Sequence, residues 1–241
     1  MKEYKLKYGK GEQSVMLDES KVLQIIDAAP GEKITDLKKA VLNAVRNPVG
    51  SAPLREVVKQ GDKVVILVSD ITRAWTRTSE YLPIVVEELN NSGIPDADIS
   101  VIVAAGTHRA NTDEEKKIIV GEDLYNRLKI YDHDAYDMEK NVYLGTTRRG
   151  TPVYLDKRAV EADKVILTGG ITPHLFAGFG GGRKSVLPGI AAAETINHNH
   201  VMALSDTIGG GINPDTCLAK TWDNRVSDDM CDATALLNPC F

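Results

Sequence analysis

The sequence predicts an α/β fold: a mostly parallel, Rossmann-like sheet with helices on both faces, plus a small antiparallel addition. Three observations predict it. "KVVILVS", "DISVIVAAG" and "DKVILTGG" are short runs, almost wholly apolar and rich in β-branched residues. Such runs are strands buried on both faces, as a parallel sheet requires. Segments of helical spacing alternate with them. Hydrophobic residues make up 42% of the 241 residues, enough for a packed core.

The elements follow in order. "EYKLKY" and "SVMLD" flank "GKGEQ", which reads as an antiparallel hairpin. "ITDLKKAVLNAVRNP" sets Leu37, Ala40, Val41, Ala44 and Val45 at helical spacing, with Thr35 or Asp36 as cap and Pro48 as stop. "PLREVVKQG" reads as a short helix closed by Gly61. The first buried strand, Lys63 to Ser69, leads into "SEYLPIVVEELNNSG", an amphipathic helix ending at Gly93. After the second strand, "TDEEKKIIVGEDLYNRLK" supplies helical surface, with acids at its start where the helix dipole favours them. "NVYLGTTRRGTPVYLD" reads as a hairpin, and Asp163 to Gly170 is the third buried strand. "ETINHNH" closes a helix expected to begin near Pro188.

No repeat, low-complexity tract or linker divides residues 1–241, which read as one α/β domain. "CDATALLNPCF" carries no charge after Asp232. It reads as a chain entering a further element, such as a buried strand, with more protein expected beyond it. The formal net charge of −5 argues against a nucleic-acid partner. No apolar run approaches the ~20 residues that cross a bilayer, and the N-terminus lacks a signal-peptide core. The expectation is a cytoplasmic protein with no membrane contact. Cys217, Cys231 and Cys240 are odd in number and form no CxxC, which excludes a disulfide framework or zinc knuckle. They are expected to be small buried or partly buried thiols.

The polar residues at the strand ends suggest a site. The first strand ends in Asp70, Thr72 and Arg73; the second in Gly106, Thr107, His108 and Arg109; the third in Thr168, Gly169, Gly170 and His174. Open parallel sheets bind ligands at the carboxyl ends of their strands. "HLFAGFGGGRKSVLPGIAAAETINHNH" follows the third strand and holds three of the five histidines. Gly178, Gly180, Gly181 and Gly182 permit close backbone approach to a ligand. Arg183 stands where a phosphate-binding P-loop needs its second glycine, and no dinucleotide fingerprint occurs. Lys184 lies among glycine and apolar residues, where an amine deprotonates more easily. On a helix, His198 and His200 face apart, so at most one enters the site. The residues alone leave two other readings open. One is a phosphate-ligand or nucleotide-binding transferase using the glycine turn and Lys184; the other is a non-catalytic module that keeps the pocket.

"DITR", "GTHR", "PHLFAGFGGGRKSVLPG" and "TINHNH", in this order, resemble the nickel-dependent lactate racemase family of 2-hydroxy acid racemases and epimerases. The resemblance runs from about Lys63 to the last residue. It implies the N-terminal domain of a two-domain protein, with a C-terminal α/β domain beyond it that adds catalytic residues. The implied cofactor is a nickel pincer nucleotide, a pyridinium mononucleotide with two sulfur-bearing arms. Lys184 matches the position of its covalent attachment, and His200 matches the nickel ligand. His108 and His174 match the acid–base pair, and Asp70 and Arg73 match the remaining catalytic positions. Thr72, Gly180, Gly181 and Gly182, with Asp70, are implied to contact the cofactor. The implied partners are a small 2-hydroxy acid and cofactor-maturation proteins. The implied reaction moves hydride from the substrate α-carbon to the pyridinium and back. One departure follows "DITR": Ala74-Trp75 stands where the lactate racemases have proline, and Arg77 adds a cation. That cation is expected to suit a substrate with a second anionic group.

Overall fold

The structure is a computed structural model that describes residues 1–9, 11–26 and 31–241. Met1–Thr35 forms one unit and Asp36–Phe241 another. In the first, β1 (Lys2–Tyr8) pairs antiparallel with β2 (Gly11–Leu17), as the sequence predicts. Lys10 of the expected turn lies outside the described residues. The Asp18 side chain caps a short 3-10 turn, Glu19–Lys21.

The second unit is built on four parallel strands: β3 (Val64–Ser69), β4 (Ile99–Ala104), β5 (Lys129–Asp132) and β8 (Lys164–Leu167). Between β5 and β8 lies an antiparallel hairpin, β6 (Asn141–Thr146) with β7 (Pro152–Asp156). The sheet order is β5-β4-β3-β8, so the chain winds outward from β3 and then crosses back to its other side. That reversal makes a topological switch point between β3 and β8, where a crevice opens at the carboxyl ends. Register keeps those ends level, with Ser69 opposite Ala104 and Leu67 opposite Leu167.

Strand alternation divides the core. Val64, Ile66 and Val68 point to one face, covered by α1 (Leu37–Arg46), α2 (Leu54–Val57), α3 (Thr78–Asn91), α4 (Asp113–Val120) and α5 (Glu122–Arg127). Val65 and Leu67 point to the other face. There they meet the β6–β7 hairpin, α6 (Lys157–Val160), residues 186–192, α7 (Ala193–Val201) and α8 (Arg225–Leu237). Asp36 rather than Thr35 caps α1, accepting from Lys39 N at 2.9 Å. Gly121, at φ +85°, separates α4 from α5 within the segment expected to be helical surface. None of the described helices is long and apolar enough to cross a membrane.

Three expectations need correction. The helix near Pro188 begins only at Ala193; residues 186–192 instead form turns, and the Ala192 N–H is used by the Tyr154 carbonyl. Cys217 and Cys231 are exposed, and only Cys240 is partly buried. The third strand spans Lys164–Leu167, shorter than Asp163 to Gly170: Thr168 still bonds the Leu67 carbonyl through its N–H and hydroxyl, and the chain leaves the sheet at Gly169, at φ +155°. The final residues do run beside the sheet: Cys240 N donates to Val165 O, and Leu167 N to Phe241 O.

A buried carboxylate sets the angle of α7. Asp229 on α8 is 0% exposed and accepts from Thr147, Thr151 and Asn199. Asn199 also donates to the Val226 carbonyl. With Asn199 turned inward, its neighbour His200 faces the crevice and His198 faces solvent. Asp229→Ala would leave three buried donors unmet, with an expected loss on the order of 3 kcal/mol. Urea denaturation should show the midpoint falling with the slope unchanged; an unchanged midpoint would refute this role.

Candidate functional site

The switch point holds a cavity of about 280 Å³. Its wall is drawn from the ends of β3, β4 and β8, the glycine turn and α7. The wall includes Asp70, Arg73, His108, His174, Gly180, Gly181, Lys184 and His200. Of the expected site residues, Thr72 and Gly182 do not line it. Thr72 stands behind Asp70, and Gly182 opens the 3-10 turn Gly182–Ser185 that carries Lys184. Lys184 is therefore not at the first turn of an α-helix, as a P-loop lysine is.

Local chemistry places each group. After β3, Asp70 precedes the 3-10 segment Ile71–Thr76. One oxygen of Asp70 accepts from Thr72 Oγ1 at 2.6 Å, and the other meets His108 Nδ1 at 2.6 Å. Arg73 donates to Thr72 Oγ1 at 2.8 Å, completing a chain from guanidinium to imidazole. After β4, Gly106 adopts φ +56° and donates to the Gly189 carbonyl, bringing the His108 loop against the lysine segment. After β8 comes a small hairpin, β9 (Pro173–His174) with β10 (Gly178–Phe179). Gly181, at φ +75°, passes so close that a Cβ there would lie 3.1 Å from the Gly170 carbonyl. The Phe176 ring stands edge-on to both His174 and His200, at centroid distances of 4.7 and 5.0 Å.

The cavity is cationic. Among the described residues, Arg73 and Lys184 in its wall have no carboxylate partner, and the guanidinium of Arg183, which stands beside the wall without lining it, bonds only to a carbonyl. Asp70 is the single acid in the wall and is already engaged. Burial first, and then the charges of Arg73 and Arg183, together lower the Lys184 pKa to about 8. Burial, with the charges of Lys184, His200, Arg73 and Arg183, lowers His174 to about 4. Burial also lowers His200, reinforced by Lys184 and opposed weakly by the Ile196 carbonyl. Nδ1 of His200 is buried without a hydrogen-bond partner of good geometry.

Among the described residues no three His, Cys, Asp or Glu side chains are grouped to hold a metal ion. A metal at His200 would need its other donors from a bound organic group. Arg77 is not the extra site cation expected. It is 72% exposed at its side chain, pairs with Glu80 at 2.6 Å and does not line the cavity, because it begins α3. Trp75 does line it, with Thr76, which sequence reasoning left out. Phe176 and Arg183, which support the wall from outside it, were also missed. The signal for Arg183 was a cation inside a glycine-rich apolar stretch with no nearby acid.

The sequence model of the lactate racemase N-terminal domain matches residues 8–210. The chain belongs to this family. It is 33% identical over 202 residues to the lactate racemase of Thermoanaerobacterium thermosaccharolyticum, a match covering 83% of this chain and 47% of that protein. It is 41% identical over 163 residues to the lactate racemase of Lactiplantibacillus plantarum, covering 68% and 38%. The T. thermosaccharolyticum lactate racemase apoprotein superposes with a TM-score of 0.83 at 32% identity, over 99% of this chain and 54% of that one. A Thermotoga maritima protein shares the fold, at a TM-score of 0.64 and 22% identity over 83% of this chain and 47% of that one. The chain thus spans about half the length of the relatives it matches.

His174 gives the site a measurable pH signature. The folded imidazole stays neutral down to about pH 4, whereas the unfolded one takes a proton near 6.5. Between these values the unfolded state binds more protons, so stability falls as pH drops through that window. Urea denaturation of the unliganded protein should show this fall, and His174→Gln should make it shallower. Equal slopes in both proteins would contradict the burial of this group.

Proposed function

We propose that this chain is the cofactor- and substrate-binding part of a 2-hydroxy acid racemase or epimerase that uses a nickel pincer nucleotide. The observation that carries the reading is the convergence of Lys184, His200, His108 and His174 on one cavity whose cations lack counter-ions. Family membership supports the same reading.

The residues present fit the cofactor. Lys184 offers a half-buried amine with lowered proton affinity, suited to covalent attachment. His200 offers an imidazole with an orphaned buried nitrogen, as an outer partner or a metal would explain. A single protein nitrogen, from His200, would hold a nickel ion whose other, softer donors came with the cofactor. Gly180 and Gly181 present bare backbone to a nucleotide, and a side chain at Gly182 would meet open space. The unpaired cations suit its phosphate. When bound, the group supplies a pyridinium that accepts hydride from the substrate α-carbon and returns it.

The chain's own residues then manage position and protons. Arg73 clamps the substrate carboxylate, for which a guanidinium fork is matched in shape. His108 takes the hydroxyl proton at Nε2, and Asp70 steadies the imidazolium that results. Thr72 couples Asp70 to Arg73, so the clamp and the base are held in one hydrogen-bonded chain. His174 faces the same cavity and serves the substrate oxygen. The reading places the protein in the cytoplasm, beside the proteins that mature the cofactor and load it onto Lys184.

Co-expression with those maturation proteins in nickel-containing medium tests the reading. Intact mass should show an adduct on the Lys184 peptide, with nickel bound. Lys184→Ala should lose the adduct, and His200→Ala should keep it while losing more than the roughly tenfold in nickel affinity that loss of even an outer partner of a metal ligand costs. Interconversion of D- and L-lactate by the loaded protein reads the activity. Absence of adduct and nickel, or their indifference to both substitutions, would overturn the proposal.

A further inference from the structure

Three consecutive carbonyls beside His174 are each held from a different direction. Asn224, fully buried at the start of α8, donates to Phe176 O at 2.9 Å. Arg183 donates to Ala177 O at 2.7 Å, a carbonyl that also accepts from the Phe179 N–H at 2.9 Å. Ala219 N donates to Gly178 O at 3.0 Å. Ala177 is 0% exposed, and its own N–H donates to His174 Nδ1 at 3.3 Å. A peptide N–H can only donate, so Nδ1 of His174 must carry a lone pair. The neutral ring then holds its proton on Nε2. His108 is set the other way: its Nδ1 meets the Asp70 carboxylate, which accepts, so the neutral form of the ring has its lone pair on Nε2.

We propose that Arg183 is a positioning residue that pins Ala177 and so holds His174 as an Nε2–H donor, opposite in tautomer to His108. Arg183 suits the task. It has no carboxylate partner among the described residues to draw its guanidinium away. Its carbonyl accepts from Val186 N and Leu187 N, which fixes its backbone in the turn. It also precedes Lys184, so one residue ties the lysine turn to the histidine loop.

The two imidazoles consequently enter the reaction in unlike states. His108 takes a proton from the substrate hydroxyl oxygen, while His174 donates a hydrogen bond to that oxygen. This assignment rests on the reading of both histidines as the proton-handling groups of a hydroxy acid site.

Long-range proton–nitrogen NMR of the unliganded protein at neutral pH tests it, with His108→Gln and His174→Gln for assignment. The wild type should show His174 as Nε2–H and His108 as Nδ1–H. Arg183→Met should shift the His174 tautomer ratio about fivefold toward Nδ1–H, the effect of losing one hydrogen bond, and leave His108 unchanged. Arg183→Lys, which restores a donor, should recover the wild-type signature. If Arg183→Met does not fold, Arg183→Gln replaces it, with the same shift expected because its amide is too short to reach Ala177. An Nδ1–H tautomer in wild-type His174, or a ratio unmoved in the folded variant, would overturn the proposal. No cofactor is needed for these spectra, so they succeed or fail independently of nickel loading.

Discussion

Everything at the site depends on cations confined where the sheet reverses its winding. Arg73 comes from the end of β3, and Lys184 and Arg183 from the turn after β8. The parallel register holds these segments level and adjacent. A partly buried cation without a counter-ion is costly, and it either sheds its proton or awaits an anion. Lys184 moves toward the first, holding its proton less tightly than an ordinary lysine, and the pocket as a whole is suited to the second. Asp70 offsets only part of the excess, being one acid beside several cations, and its two oxygens bond to His108 and Thr72 rather than to any of them.

The second face of the sheet makes this arrangement rigid. Residues 186–192 pass beneath β3 and β4, packing Val186, Leu187 and Ile190 against Val65, Leu67 and Ile102. Gly189 lies so near Ala104 and the Ser185 carbonyl that no side chain fits there. Behind them, His133 bridges Asp156 and the Ala191 carbonyl, and Arg158 closes over Asp156. This buried histidine has no role in the cavity; it ties the end of β5 to the hairpin and to the segment before α7. Fixed histidine orientations at the site follow from such packing, since catalytic geometry tolerates little drift.

Much of this was legible in the sequence, for identifiable reasons. β3, β4 and β8 could be read because burial on both faces removes polar residues from them. β5, "KIYD", escaped because it is a half-buried edge strand too short to show a pattern. α8 escaped because its buried positions Val226, Met230 and Ala233 are interleaved with acids, one of which, Asp229, is itself buried. At the site, strand-end placement puts Asp70, His108 and His174 on one rim, and all three line the cavity. Arg77 was misjudged because proximity in sequence to Arg73 said nothing of direction: the chain turns into α3 between them. Phe176 and Arg183 act through contacts across loops, which spacing along a chain does not encode.

The lowered proton affinity of Lys184 is the most direct consequence of the confined charge. The rate at which an amine-directed acylating reagent modifies Lys184, followed by peptide mass spectrometry over a range of pH, measures it in the unliganded protein. The account predicts a midpoint near 8, well below that of the exposed lysines. A midpoint at the ordinary lysine value, about 10.4, would mean that the amine is solvated or paired, and would contradict it.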